Sequence, residues 1–224
     1  MRFRSFATLF TLVLSAQTAL AIDHRVEKLD EAAPADALSP EIAGQLAESG
    51  VRVIRGSSRT LCDIWLTKQW PLKSLEAGAD LIYPFQPGQL IGVVRFDRKS
   101  SDFRDQEIEE GVYTLRYAQQ PVDGAHVGTS ITRDFLLVVK AEADKSAEPL
   151  AYKPLAEKSA AAVQTSHPGL LSLQRVPEEA GDTPAIREDE EKEWWIVRLT
   201  GKAAVEGKQS AMPIDLVIVG QATE

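Results

Sequence analysis

Apolar residues recur at every second position in short runs, and turn residues cut the runs apart, which restricts this chain to an architecture made of β-strands. Val51 and Val53 alternate with Arg52; Cys62, Ile64 and Leu66 share one face while Leu61, Asp63 and Trp65 share the other. The turn between these two runs is Gly56-Ser57-Ser58, and Trp70-Pro71 is expected to close the second strand, because proline cannot donate to a ladder. Further strands are predicted over 89–96, 111–117, 134–140, 170–176, 194–199 and 214–219, each rich in β-branched or aromatic residues. Phe135-Leu136-Leu137-Val138-Val139 and Leu216-Val217-Ile218-Val219 are apolar without interruption and read as central strands covered on both faces. Tyr113, Leu115 and Tyr117 alternate with Thr114 and Arg116, the pattern of a strand with one wet face.

Helices are few. Ser39-Pro40-Glu41 supplies a cap, a first-position proline and an early acid for a short helix over 40–49, with Gly50 as its stop. A second helix of two to three turns is predicted over 154–163, from its proline start and high helix propensity. The fold class expected is therefore mostly β, an antiparallel β-sandwich or jelly roll with one or two short helices.

Ahead of this pattern, Arg2 and Arg4 precede an apolar stretch from Phe6 to Leu14, and Ala19-Leu20-Ala21 offers the small-x-small pattern of a cleavage site. Residues 1–21 read as a signal peptide, and the mature chain is expected to begin at Ile22, exported to a periplasm or the extracellular space. The apolar run is shorter than the roughly 20 residues of a spanning helix, so no membrane insertion is expected after cleavage. Position 22 is not cysteine, which argues against a lipid anchor. Residues 22–40 lack a strand or helix period and are expected to be an extended, mobile segment leading into a single domain over 41–224.

The net charge of −8 sets the surface against phosphate backbones, and there is no basic stripe interleaved with aromatics, so nucleic acid is not an expected partner. The one cysteine, Cys62, excludes an intramolecular disulfide and alternates with core residues. No cofactor is expected: glycine-rich phosphate cradles, a Gly-x-Ser-x-Gly elbow and a His-Glu-x-x-His pair are all absent from the sequence. The acids between Pro177 and Glu193 do not have calcium-loop spacing and read as a solvated loop.

The densest polar segment is the connection over 119–134, which gathers Asp123, His126, Ser130, Arg133 and Asp134 between two predicted strands. One reading makes it a binding or catalytic site, with His126 as general base or ligand and Asp123 or Asp134 as its orienting carboxylate. The other makes it a self-bonded loop in which Arg133 pairs with a carboxylate such as Asp123 and fixes the strand start. Trp194 and Trp195 must point to opposite faces: Trp195 joins Val197 and Leu199 on the apolar one, leaving Trp194 as a core residue or an exposed platform for a sugar or peptide.

The strand Gly111-Val112-Tyr113-Thr114-Leu115-Arg116-Tyr117, followed by Asp123-Gly124-x-His126-x-Gly128-x-Ser130-x-x-Arg133-Asp134-Phe135, resembles an uncharacterised family of exported bacterial proteins carrying this pair of motifs. The resemblance covers about 90–135 and implies a bacterial β-sandwich, but supplies no catalytic residues. The favoured expectation is a non-enzymatic exported domain that binds an unidentified ligand or envelope partner; the alternative is a hydrolase or metal-assisted enzyme centred on the 119–134 loop.

Overall fold

The computed structural model describes residues 23–120, 132–179 and 181–222. In chain order the strands are β1 (His24–Leu29), β2 (Gly50–Arg55), β3 (Arg59–Leu66), β4 (Trp70–Pro71), β5 (Leu90–Phe96), β6 (Ser100–Ser101), β7 (Glu107–Ile108), β8 (Gly111–Gln119), β9 (Asp134–Lys140), β10 (Leu170–Gln174), β11 (Ala185–Asp189), β12 (Trp194–Val205) and β13 (Lys208–Val219), with helices α1 (Pro40–Gln45) and α2 (Tyr152–Ala162). Eleven strands form one hydrogen-bonded sheet in the order β1-β2-β3-β5-β8-β9-β10-β13-β12-β11, with β4 joined to β12; β6 and β7 make a separate two-stranded ribbon. Every pairing is antiparallel except the parallel one of β4 with β12.

A sheet this wide buries its apolar face by curling over on itself. Strand β10 makes the corner: Leu170–Ser172 pair with β9, and Leu173 and Gln174 pair with β13, so one strand serves both halves. The main core lies between the halves. Ile64, Val94, Tyr113, Leu115, Leu136 and Val138 of one meet Val197, Leu199, Ile214, Leu216 and Ile218 of the other. Curling brings β1 beside β11, within 8 Å between Cα atoms, and the His24 ring lies 4.4 Å from that of Trp195 across this seam.

The outer face is covered in two places. The Ser39 side chain accepts from Ile42 N at 3.3 Å and Pro40 starts the helix, so α1 lays Ile42 against Leu29, Leu46, Trp65, Leu90 and Val93. Helix α2 sets Leu155 on Ala118, Leu137 and Val139. The uninterrupted apolar run of β9 is thus buried on both sides, as its sequence requires.

Four local expectations need correction. Residues 24–29 form β1, paired with β2 along its whole length, because Leu29 and His24 find cover there and the backbone completes the sheet edge. Gly50 opens β2 rather than ending α1, which stops at Leu46; a Cβ on Gly50 would meet Ile64 O at 2.6 Å and the Trp65 ring at 2.8 Å. Trp70-Pro71 does not close β3 but pairs with Ala203 and Ala204 of β12. Within the acidic connection, residues 185–189 form β11 on the edge of β12, where alternating Ile186 packs on the core. The signal segment over 1–21 lies outside the described residues.

Candidate functional site

The 119–134 connection leaves the sheet between β8 and β9. Its base is closed by Gln120 N donating to Arg133 O at 2.8 Å, while the Arg133 guanidinium donates through Nε and Nη2 to Gln120 O at 3.3 and 3.0 Å. The described partner of Arg133 is therefore a backbone carbonyl on the opposite strand. Asp123, His126 and Ser130 lie outside the described residues.

Asp134 is fully buried and serves the fold. Its Oδ1 accepts from Tyr117 Oη at 2.6 Å and Tyr83 N at 3.1 Å, and its Oδ2 accepts from Ile82 N at 3.2 Å. These bonds pin the segment between β4 and β5 onto β9. Burial pushes the Asp134 carboxyl above the usual range, against the opposing pull of those hydrogen bonds and of Arg133. Burial, reinforced by the neighbouring carboxylate, likewise raises the Tyr117 hydroxyl. Tyr83 continues the network: Oη donates to Gln174 O at 2.8 Å and accepts from Asp215 N at 3.0 Å.

Trp194 is a core residue, only 2 % exposed. Phe103 meets its ring edge-on at 5.1 Å, its Nε1 donates to Gln221 O at 2.7 Å, and Lys192 Nζ lies 5.0 Å from the ring centre. The alternation of the two tryptophans is as the sequence reads, with Trp195 on the main-core side, but no ring face of Trp194 is left for a sugar or peptide.

Three buried aspartates paired with arginines were not read from the sequence. Arg116, taken as a wet-face residue, is wholly buried. Its Nε and Nη2 hold Asp144 at 2.6 and 2.9 Å, Nη1 donates to Gly88 O and Glu148 O at 2.8 and 2.9 Å, and Nη2 also reaches Ser146 O. All five guanidinium donors are satisfied, and Thr114 Oγ1 donates to the same Asp144 at 2.5 Å. The face of β8 expected to be wet is covered because the 141–150 segment folds over it. Asp63 on β3 receives Arg52 in two places, at 2.7 and 3.0 Å, together with Arg95. Asp215 on β13 receives Arg198 at 2.7 and 2.8 Å, with Arg187 at 3.2 Å. The signal for these was present in the charged residues set inside apolar strands, since a charge buried there requires a partner. Among the described residues no three His, Cys, Asp or Glu side chains converge as a metal-ligand set.

Two cavities stand out among the described residues. One, of about 680 Å³, lies beside the end of α1 and is walled by Pro71, Pro84, Pro87 and Pro149 with Gln45 and Gln89. The other, of about 780 Å³, opens at the end of the curled sheet where the β2–β3 hairpin faces the end of β13. Leu61, Ile218 and Val219 give it an apolar floor, and its wall carries the cations of Arg55, Arg59, Lys99 and Lys192 together with the carboxylates of Asp105, Glu107 and Glu193. The hairpin that carries both arginines is held firmly: Arg25 on β1 donates to Gly56 O and Ser57 O at 2.9 and 3.0 Å, and Gly56 takes a left-handed φ of 63°.

No family model matches this chain, and comparison with curated proteins and with solved structures likewise finds no match.

Proposed function

We propose that this protein is an exported, non-enzymatic binding domain, and that its ligand occupies the groove at the β2–β3 end of the sheet. One observation carries this reading: the polar chemistry buried in the fold serves the fold, whereas this groove combines an apolar floor with charged walls and opens to solvent. Asp63, Asp134, Asp144 and Asp215 each accept from donors that hold strands and loops together. A hydrolase built on the 119–134 loop would have to draw its orienting carboxylate from Asp123, because Asp134 is held by Tyr83 and Tyr117. No helix among the described residues is long and apolar enough to cross a membrane.

Native mass spectrometry of the mature protein purified from its own source tests the proposal. The expected spectrum has an amino terminus at Ile22 and a retained small-molecule adduct. The adduct should be lost in Ser101→Trp, which fills the groove from an exposed position without touching the core. A protein that carries no adduct, or an adduct that survives this substitution, overturns it.

A further inference from the structure

We propose that the groove selects an amphipathic oxyanion, a carboxylate or phosphate monoester bearing a short apolar chain, and that Arg55 and Arg59 are the receptors for its head group; this rests on the groove being the ligand site. Arg55 and Arg59 are register partners across the β2–β3 hairpin, so both side chains leave the sheet on one face, with Cβ atoms about 5 Å apart. His24 of β1 pairs with Arg55 on its other side, making a row of three basic residues across three strands. Like charges directly opposite one another on a ladder are destabilising. The usual remedy is an intervening carboxylate, and this protein uses it elsewhere: Asp63 lies between Arg52 and Arg95, and Asp215 between Arg187 and Arg198. Among the described residues neither Arg55 nor Arg59 has an ion pair or a side-chain hydrogen bond. The other two cations of the wall are already satisfied, Lys99 by Glu107 at 2.8 Å and Lys192 by Asp189 at 2.8 Å; Asp105 and Glu193 also line the groove, and neither is ion-paired to Arg55 or Arg59.

The arrangement has the geometry of a clamp for an anion. Two planar guanidinium forks can each offer paired donors to one carboxylate or phosphate, a geometry that lysine cannot supply. Leu61 lies beside Arg59 on β3, and Ile218 and Val219 continue the apolar floor, so an alkyl chain attached to the anion would lie along them. The net charge of −8 repels anions at long range, which makes the local arginine pair the source of any selectivity.

The test titrates the mature protein by calorimetry with octanoate, octyl phosphate, octanamide and octylammonium, probes that share a chain and differ in head group. The two anions should bind at least about tenfold more tightly than the neutral and cationic probes, and their mutual ratio identifies the preferred oxyanion. In Arg55→Ala/Arg59→Ala the anion preference should vanish, while the unliganded melting temperature stays level or rises, because a repulsive pair has been removed. That combination separates binding from mere structural support. Equal binding of all four probes, unaffected by the double substitution, overturns the oxyanion inference and leaves the groove as a ligand site. No binding by any probe also overturns it, and the adduct experiment above then decides the broader reading by itself.

Discussion

Replacing Asp144 with asparagine tests the most deeply buried charge pair among the described residues. The carboxylate accepts two guanidinium bonds from Arg116 and one from Thr114, with side chains of Arg116 and Asp144 0 % and 1 % exposed. Asparagine keeps the shape and one acceptor but turns an amide donor toward Nε or Nη2 of Arg116, and leaves the guanidinium charge unbalanced away from water. Breaking a buried pair from one side costs about 3–5 kcal/mol, and in a domain of this size each kcal/mol lowers the melting temperature by about 2–4 °C. The expected drop is therefore about 6–20 °C. Arg116→Met should be worse, since it strands Asp144 together with the carbonyls of Gly88, Ser146 and Glu148. Arg116→Met/Asp144→Leu should recover the charge term but not the carbonyl term, at about 1 kcal/mol for each carbonyl that water does not reach. Urea unfolding of the three variants, with the slope checked for constancy, reads these values directly. A loss below about 1 kcal/mol for Asp144→Asn would refute the reasoning, because an exposed pair behaves that way.

Three further outcomes are expected. Tyr117→Phe removes the 2.6 Å bond to Asp134 and should cost about 1–3 kcal/mol in urea unfolding; an unchanged midpoint would mean that water replaces the hydroxyl. The Asp134 carboxyl is raised by burial, so its folded-state pKa exceeds its unfolded one, and its contribution is fully present below the ordinary aspartate range near 3.9 and is lost as pH rises through the folded value. The stability of wild type relative to Asp134→Asn should accordingly decline as pH climbs upward from about 4, and a difference that is flat with pH would contradict this sign. Gly201→Ala should destabilise by about 1–3 kcal/mol, because a Cβ there would lie 2.2 Å from the buried Trp70 ring; an unchanged melting temperature would show that the ring moves aside freely.

Periodicity made β2, β3, β5, β8, β9, β10, β12 and β13 legible, along with both helices, because each carries an apolar face long enough to mark its own period. The elements that escaped notice are those whose stability comes from a neighbour. Strand β11 is half acidic and exists because β12 offers an edge; β4 is two residues long; β1 has charged residues at Arg25, Glu27 and Lys28 and is held by backbone pairing to β2. The wet face assigned to β8 failed for a similar reason, since local alternation at Thr114 and Arg116 cannot report that a segment some thirty residues later covers them. At the candidate site, composition drew attention to the polar 119–134 loop. The Arg55 and Arg59 pair was hidden in an ordinary hairpin, because facing across a ladder is a property of register, and the β-bulge between Val53 and Ile54 shifts that register by one residue.

The aspartate clusters also explain how a chain with one cysteine holds long connections without a disulfide. Asp144 ties the 141–150 segment to β8, Asp134 ties residues 82 and 83 to β9, and Asp102 ties the loop around Gln106 to Leu170 N at 3.0 Å. Each carboxylate gathers several donors from segments distant in sequence, so each fixes a loop closure that hydrophobic contact alone would leave free to slide. Buried pairs of this kind add little net stability compared with apolar packing of the same volume. What they add is discrimination, because a slipped register would leave a charge buried without its partner. Asp215 illustrates the point: it faces Arg198 at the same rung of the β12–β13 ladder, and a slip of one residue would turn the arginine to the opposite face and strand the aspartate. The same logic applied at Arg55 and Arg59 gives the opposite result. There the register places two like charges together in a fold that elsewhere matches its buried aspartates with donors, and the mismatch lies at a wall of the sheet that opens onto a cavity.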